Sequence, residues 1–204
     1  AEPSINNAKG VATLNMLKKL ADLSNPDYLT HDSEAIKVEW ESGKVGLMTL
    51  WASRSGTLLD DEGDAAITAA TKLAAPATVG GGSVPAATLW WDGFTLATNR
   101  PDADAEASFQ ALVHAATSAK MANDASDQAV WLVKGFTPGP KSLGVLAAAE
   151  MGANPYPMLP HMSLMHGALG SEIVDFLQGK ESAEQALADV EAAYTATAKE
   201  KGFL

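Results

Sequence analysis

The apolar and polar positions divide this chain mainly into helices, separated by breaks that carry glycine or proline. Through residues 7–23, Val11, Leu14, Leu17 and Leu20 recur at steps of three, which predicts an amphipathic helix. The stretch 34–51, EAIKVEWESGKVGLMTLW, predicts a second helix, a Gly-Lys turn and a short apolar strand. In that helix Ile36, Val38 and Trp40 supply the apolar surface, while Glu34, Lys37, Glu39 and Glu41 are expected in water. Gly43 suits the helix stop because it takes a left-handed conformation without steric cost. Residues 45–50 are short, apolar and partly β-branched, which predicts a buried strand of a parallel sheet. An aromatic just past the carboxyl end of such a strand stands where α/β sheets bind ligands. Trp51 therefore reads either as a lid over the core or as a platform on which a ligand stacks.

Residues 87–99, ATLWWDGFTLATN, repeat the theme, with strand character broken at Gly93. Adjacent residues of a strand point to opposite faces, so Trp90 and Trp91 cannot both enter one core. Asp92 beside them is an acceptor for hydroxyl donors, and an indole face with a carboxylate suits carbohydrate. The plainer reading is one core tryptophan, one edge tryptophan and a turn aspartate. Further helices are predicted at 102–118, where acidic residues in the first turn follow Pro101, and at 126–134, 142–151, 163–177 and 182–200. Ser182 and Gln185 have the spacing of a capping box. Residues 78–85, TVGGGSVP, form the clearest loop.

Composition narrows the function classes. The chain has 204 residues with 47% apolar content, enough for a sizeable core. A net charge of −11 argues against nucleic acid or an anionic membrane as a partner. The absence of cysteine excludes disulfides, thiolate zinc sites and cysteine nucleophiles. There is no run of 18 apolar residues that predicts a membrane span, and AEPSINNAKG does not read as a signal peptide. Neither a phosphate loop, a GxSxG elbow nor an HExxH helix is present; GGGS at 80–83 lacks the Gly-Lys-Ser/Thr of the first. The Asp60-Asp61-Glu62 run reads as a solvated face, since a glycosidase needs two carboxylates held across a cleft. No enzyme activity and no cofactor are expected.

Taken in order, several segments resemble the C-terminal half of the extracellular solute-binding proteins, family 1, of ABC importers, the group that includes maltose-binding protein. They are NNAKGVATLNMLKKLADL at 6–23, the helix-Gly-Lys-strand-Trp unit at 34–51, KLAAP at 72–76 and the strand at 87–99. PDADAEASFQALVHAATS at 101–118, GFTPGPKSL at 135–143 and the closing helices of 155–200 complete the series. The resemblance implies an α/β fold, the C-terminal lobe of a two-lobed type II periplasmic-binding-protein fold, helix-rich with a small mixed sheet. Residues 1–94 and 147–204 would then form that lobe, and 95–146 would return to pack on an absent N-terminal lobe. In that case Phe109, Leu112, Val113, Val130, Trp131 and Leu132 would present an apolar patch, to be covered by the missing lobe or by self-association.

The resemblance also implies a function. The expected partners are a sugar or polyol and the transmembrane permease subunits, and the expected location is periplasmic, or extracellular and membrane-associated. A helical module that binds another protein and no small molecule is the alternative. The implied ligand-binding residues are Trp51, Arg54, Trp91, Asp92 and His166, with no metal. Arg54 reads equally as a fork onto hydroxyls or a carboxylate and as a partner of Asp60 or Asp61. The Trp90-Trp91-Asp92 triplet stands where the family usually has glycines. His166, followed by Gly167, stands near a sugar-stacking aromatic of maltose-binding relatives, which puts a maltose-like ligand in doubt. His161 and His166, five apart in LPHMSLMHG, fall on different helix faces, the wrong spacing for a two-His zinc site. Tyr156 and Met158 are weaker cleft candidates, and His31 and His114 read as surface or helix-face residues.

Overall fold

A computed structural model describes residues 1–60, 62–117 and 129–204. The chain is helix-rich with one small parallel sheet, an α/β composition. It divides into two compact units, residues 1–31 with 157–204, and residues 32–156. The described residues of the 95–146 segment lie in the second unit.

The first unit is built on four helices: α1 (Ala8–Asp22), and, from the end of the chain, α7 (Met162–Glu172), α8 (Val174–Leu177) and α9 (Ala183–Glu200). Asn7 caps α1 by accepting from the backbone amides of Lys9 and Gly10. Leu14 of α1 packs with Phe176, Ala183, Ala186 and Leu187. On the next turns of α9, Val190, Tyr194 and Ala198 pack against Met165 and Ala168 of α7. The small residues at 183, 186 and 198 let backbones approach closely while Leu187 and Tyr194 fill the volume. Tyr194 is only 1% exposed, and its hydroxyl donates to the carbonyl of Ala1 at 2.6 Å. The leucine stripe predicted for α1 is only half used, because Leu17 and Leu20 remain exposed. Steps of three fall about 60° short of a full helical turn, so later members of the series rotate off the core face. The single helix predicted at 163–177 is interrupted at Ile173, whose side chain packs against both clusters.

The second unit contains α2 (Ser33–Glu41), two short helices, α3 (Ser55–Leu58) and α4 (Ala65–Ala70), strand β1 (Thr88–Leu89), α5 (Asp102–Ala115), α6 (Leu143–Glu150) and strand β2 (Asn154–Pro155). Asp32 caps α2. Gly43, at φ +71°, ends it with a Schellman pair, Lys44 N–H to Glu39 O at 3.1 Å and Gly43 N–H to Trp40 O at 2.9 Å. The glycine stop is thus as the sequence predicts.

The strand predicted at 45–50 does not form, and Leu47 is 90% exposed. Gly46 interrupts the run, and a strand exists only where a neighbour accepts its hydrogen bonds. The polarity of α2 also differs from expectation. Lys37 and Glu41 turn inward, with side chains 16% and 18% exposed, while Val38 faces water.

Among the described residues the sheet is two parallel strands rather than mixed, pairing Thr88 with Asn154 and Leu89 with Pro155. Helix α6 packs against β1. Of the strand predicted at 87–99, only Thr88 and Leu89 pair. The loop predicted at 78–85 is present and is closed at its base by an antiparallel bridge between Thr78 and Pro85. Of the helix predicted at 126–134, residues 126–128 lie outside the described residues, and 129–134 are not helical. Helix α5 buries none of its residues; Phe109 and Val113 are exposed along it, and Leu132 is exposed beyond it. Leu112, Val130 and Trp131 are half-buried.

Candidate ligand-binding site

Four of the five candidate residues, Trp51, Arg54, Trp91 and Asp92, belong to the second unit, and His166 belongs to the first. Trp51 precedes a 3₁₀ turn, Ala52–Arg54, and its carbonyl accepts from the Arg54 amide at 2.9 Å. That turn is fixed from below by Ser55, a buried residue whose hydroxyl lies 2.7 Å from both the Ala52 and the Lys141 carbonyl oxygens. A hydroxyl has one proton, so the two acceptors share it. The contact to Lys141 ties the turn to a second 3₁₀ turn, Pro140–Ser142. Trp51 itself is 63% exposed, so it is not a lid over the core. An indole held on an anchored turn with most of its surface in water is a ready stacking face.

Arg54 does not pair with Asp60; its guanidinium donates to Glu34 at 2.6 Å. Asp61 lies outside the described residues. Asp60 instead meets Lys37 at 3.4 Å, in a cluster where the same ammonium lies 3.4 Å from Glu41 and 3.5 Å from Glu62. Desolvation pulls the Lys37 amine down, but Glu41 and then Asp60 outweigh it and leave its pKa raised. The Asp60 carboxyl is held below its ordinary value, first by the Glu62 backbone amide and then, against some desolvation, by Lys37 and Lys141. The Asp60–Glu62 run is thus not a bare solvated face: Asp60 is a half-buried part of a charge cluster around one lysine.

Trp90 and Trp91 are 45% and 50% exposed, and neither is a core residue. Asp92 is exposed beside them. The Trp90 indole N–H donates to Thr88 Oγ1 at 2.7 Å, and its ring stacks on Tyr156 with centroids 3.7 Å apart and planes 26° apart. Tyr156 is held in place by its amide, which donates to Leu89 O at 2.9 Å. Trp90 and Tyr156 therefore leave the two parallel strands at the same, carboxyl, end. This aromatic pair is what sequence reasoning underrated, because only the β1–β2 register brings the two rings together.

In the first unit, His166 is an exposed residue of α7. His161 makes edge contacts with Tyr194 and Phe203, at 6.4 and 5.9 Å between ring centres. Among the described residues no three His, Asp or Glu side chains are gathered so as to hold a metal ion.

An open groove of about 450 Å³ runs between the segment after Gly93 and the first turns of α5, lined by Thr95, Leu96, Arg100, Asp104 and Ser108. None of the five candidate residues lines it, and it is too open to enclose a ligand, so the indoles rather than the groove mark the candidate site. No protein-family model matches this chain, and no curated protein matches it.

Proposed function

We propose that this chain is the C-terminal part of a two-lobed solute-binding protein, one that binds a sugar or polyol and hands it to an importer permease outside the cytoplasmic membrane. The observation that carries the reading is the exposure of Trp51 on a turn pinned by Ser55. An indole that the fold does not bury offers its face to the axial hydrogens of a sugar ring. Trp91 and Asp92 add a second half-open indole and an exposed acceptor. Arg54 keeps donors beyond the one spent on Glu34, because a guanidinium has five. Ligand would favour a closed arrangement by contacting two lobes, and binding would involve no reaction.

Intrinsic tryptophan fluorescence of the full-length gene product, titrated with neutral sugars and polyols, tests this reading. A saturable change is expected, and Trp51→Ala should weaken it about tenfold or more, since full burial of an aromatic is worth a few kcal/mol at about 25 cal/mol/Å². A change under twofold would remove Trp51 from the site.

The exposure of Phe109, Val113 and Leu132 favours a second reading, a module that binds another protein through that surface. A thermal-shift screen separates the two, because a small molecule that binds only the folded state raises the melting temperature by mass action.

A further inference from the structure

We infer that α1 of one copy of this chain docks on α5 of a second copy. The assignment rests on the protein-binding reading above, whose partner it names, and not on the sugar-binding one.

The side of α1 that meets the core is the side of Leu14. At about 3.6 residues per turn, Lys9, Met16, Leu17 and Leu20 share roughly 100° of the opposite side. Met16, Leu17 and Leu20 are 51%, 39% and 56% exposed, and Leu23, which ends the helix, is 86% exposed. A stripe of that width is what a helix ordinarily buries against another element, yet in a single copy it faces water. Its polar edge is basic. Lys9 and Lys19 are exposed and make no ion pair among the described residues, while Asp22, the acid of α1, is held by Lys18.

Helix α5 is the complement. Phe109 and Val113 are 52% and 44% exposed, and Asp102 and Glu106 share the same roughly 60° of its circumference. It carries no lysine or arginine. The spacings of the two stripes also match. Lys9 and Met16 are seven positions apart, as are Asp102 and Phe109; Met16 and Leu20 are four apart, as are Phe109 and Val113. Laid parallel, the helices bring Lys9 to Asp102, Met16 to Phe109 and Leu20 to Val113 in one register. Copies of a chain with net charge −11 repel one another, and a basic edge meeting an acidic one offsets that locally. Two reciprocal contacts of this kind close a dimer.

Sedimentation velocity of the full-length protein over a range of concentrations reads the association, with far-ultraviolet circular dichroism as the check on folding. A concentration-dependent shift from monomer to dimer is expected. Leu20→Asp and Phe109→Ser, both at exposed positions, should each weaken it about tenfold or more. Lys9→Glu and Asp102→Lys should each weaken it several-fold. An equimolar mixture of those two variants should restore it, because each reversed charge then meets its opposite. Should either apolar variant misfold, the charge-reversal mixture decides alone. Failure of the mixture to restore association overturns the pairing of the two stripes. A protein that stays monomeric overturns the docking and leaves the sugar-binding reading untouched. Loss of association in Phe109→Ser but not in Leu20→Asp overturns α1 as the docking face, while the α5 surface of the protein-binding reading stands. Binding of the monomer to anionic lipid vesicles, abolished by Leu20→Asp, would give the stripe to a membrane and overturn the docking as well.

Discussion

Arg54 Nη1 donates to Glu34 Oε1 at 2.6 Å, joining the turn behind Trp51 to the first turn of α2. Both side chains are well exposed, at 37% and 65%. An ion pair of this kind is worth up to about 1 kcal/mol. Glu34→Ala should therefore shift the urea midpoint only slightly. A loss well above that size would mean that the pair, and not Ser55 alone, holds the turn that presents Trp51.

The cluster around Lys37 should give stability a specific pH dependence. The Asp60 carboxyl is held low in the folded chain, so its contribution is present above the ordinary carboxylate range and is lost as pH falls through the folded value. Lys37 is raised, so its contribution is complete below the usual amine value of about 10.4 and is lost at higher pH. Melting temperatures of wild type and Asp60→Asn should differ at pH 7 and converge as the pH drops below about 4. Parallel curves across that range would exclude Asp60 from the linkage.

Two glycines should respond oppositely to alanine. A Cβ on Gly10 would stand 2.0 Å from the Ile5 carbonyl oxygen and 3.0 Å from Leu187 Cδ1, so backbone must move. Gly10→Ala is expected to cost at least the roughly 1–3 kcal/mol of an overpacked core. Gly170, within α7, has open space where its Cβ would be, and Gly170→Ala should gain up to about 1 kcal/mol. Denaturant unfolding of the two variants checks both signs.

Only half of the predicted capping box forms at the start of α9. Ser182 Oγ accepts from the Gln185 amide at 3.1 Å, but the Gln185 side chain reaches forward to Asp189 at 2.9 Å. Ser182→Ala should cost about 1 kcal/mol, and Gln185→Ala no more than about 0.5 kcal/mol, the size of a helix-surface pair. Thermal unfolding of the two variants should rank them in that order.

What was legible in the sequence is what neighbouring residues decide among themselves. The Ser182 cap, the Gly43 stop and the 78–85 loop arise from bonds spanning a few residues, so local chemistry predicts them. Of the candidate site, the sequence marked exposable indoles and an acceptor but not their setting. Trp51 proved to precede a 3₁₀ turn and not to end a strand, because, among the described residues, 45–50 have no strand partner for their backbone bonds.

By itself, then, the sequence determined the helix-rich character of this protein, most helix ends, and the acidic, cysteine-free surface chemistry. Tertiary structure alone decided three things. Lys37 rather than Val38 faces inward on α2, because three carboxylates, two of them beyond the helix, gather around its amine. Arg54 turns to Glu34 rather than to Asp60. Trp90 finds Tyr156, because the parallel register of β1 and β2 sets two aromatics from distant segments at the same strand end. Each is a contact between residues far apart in the chain, whose energy depends on where the backbone has already been placed. Hydrophobic periodicity carries no record of that placement.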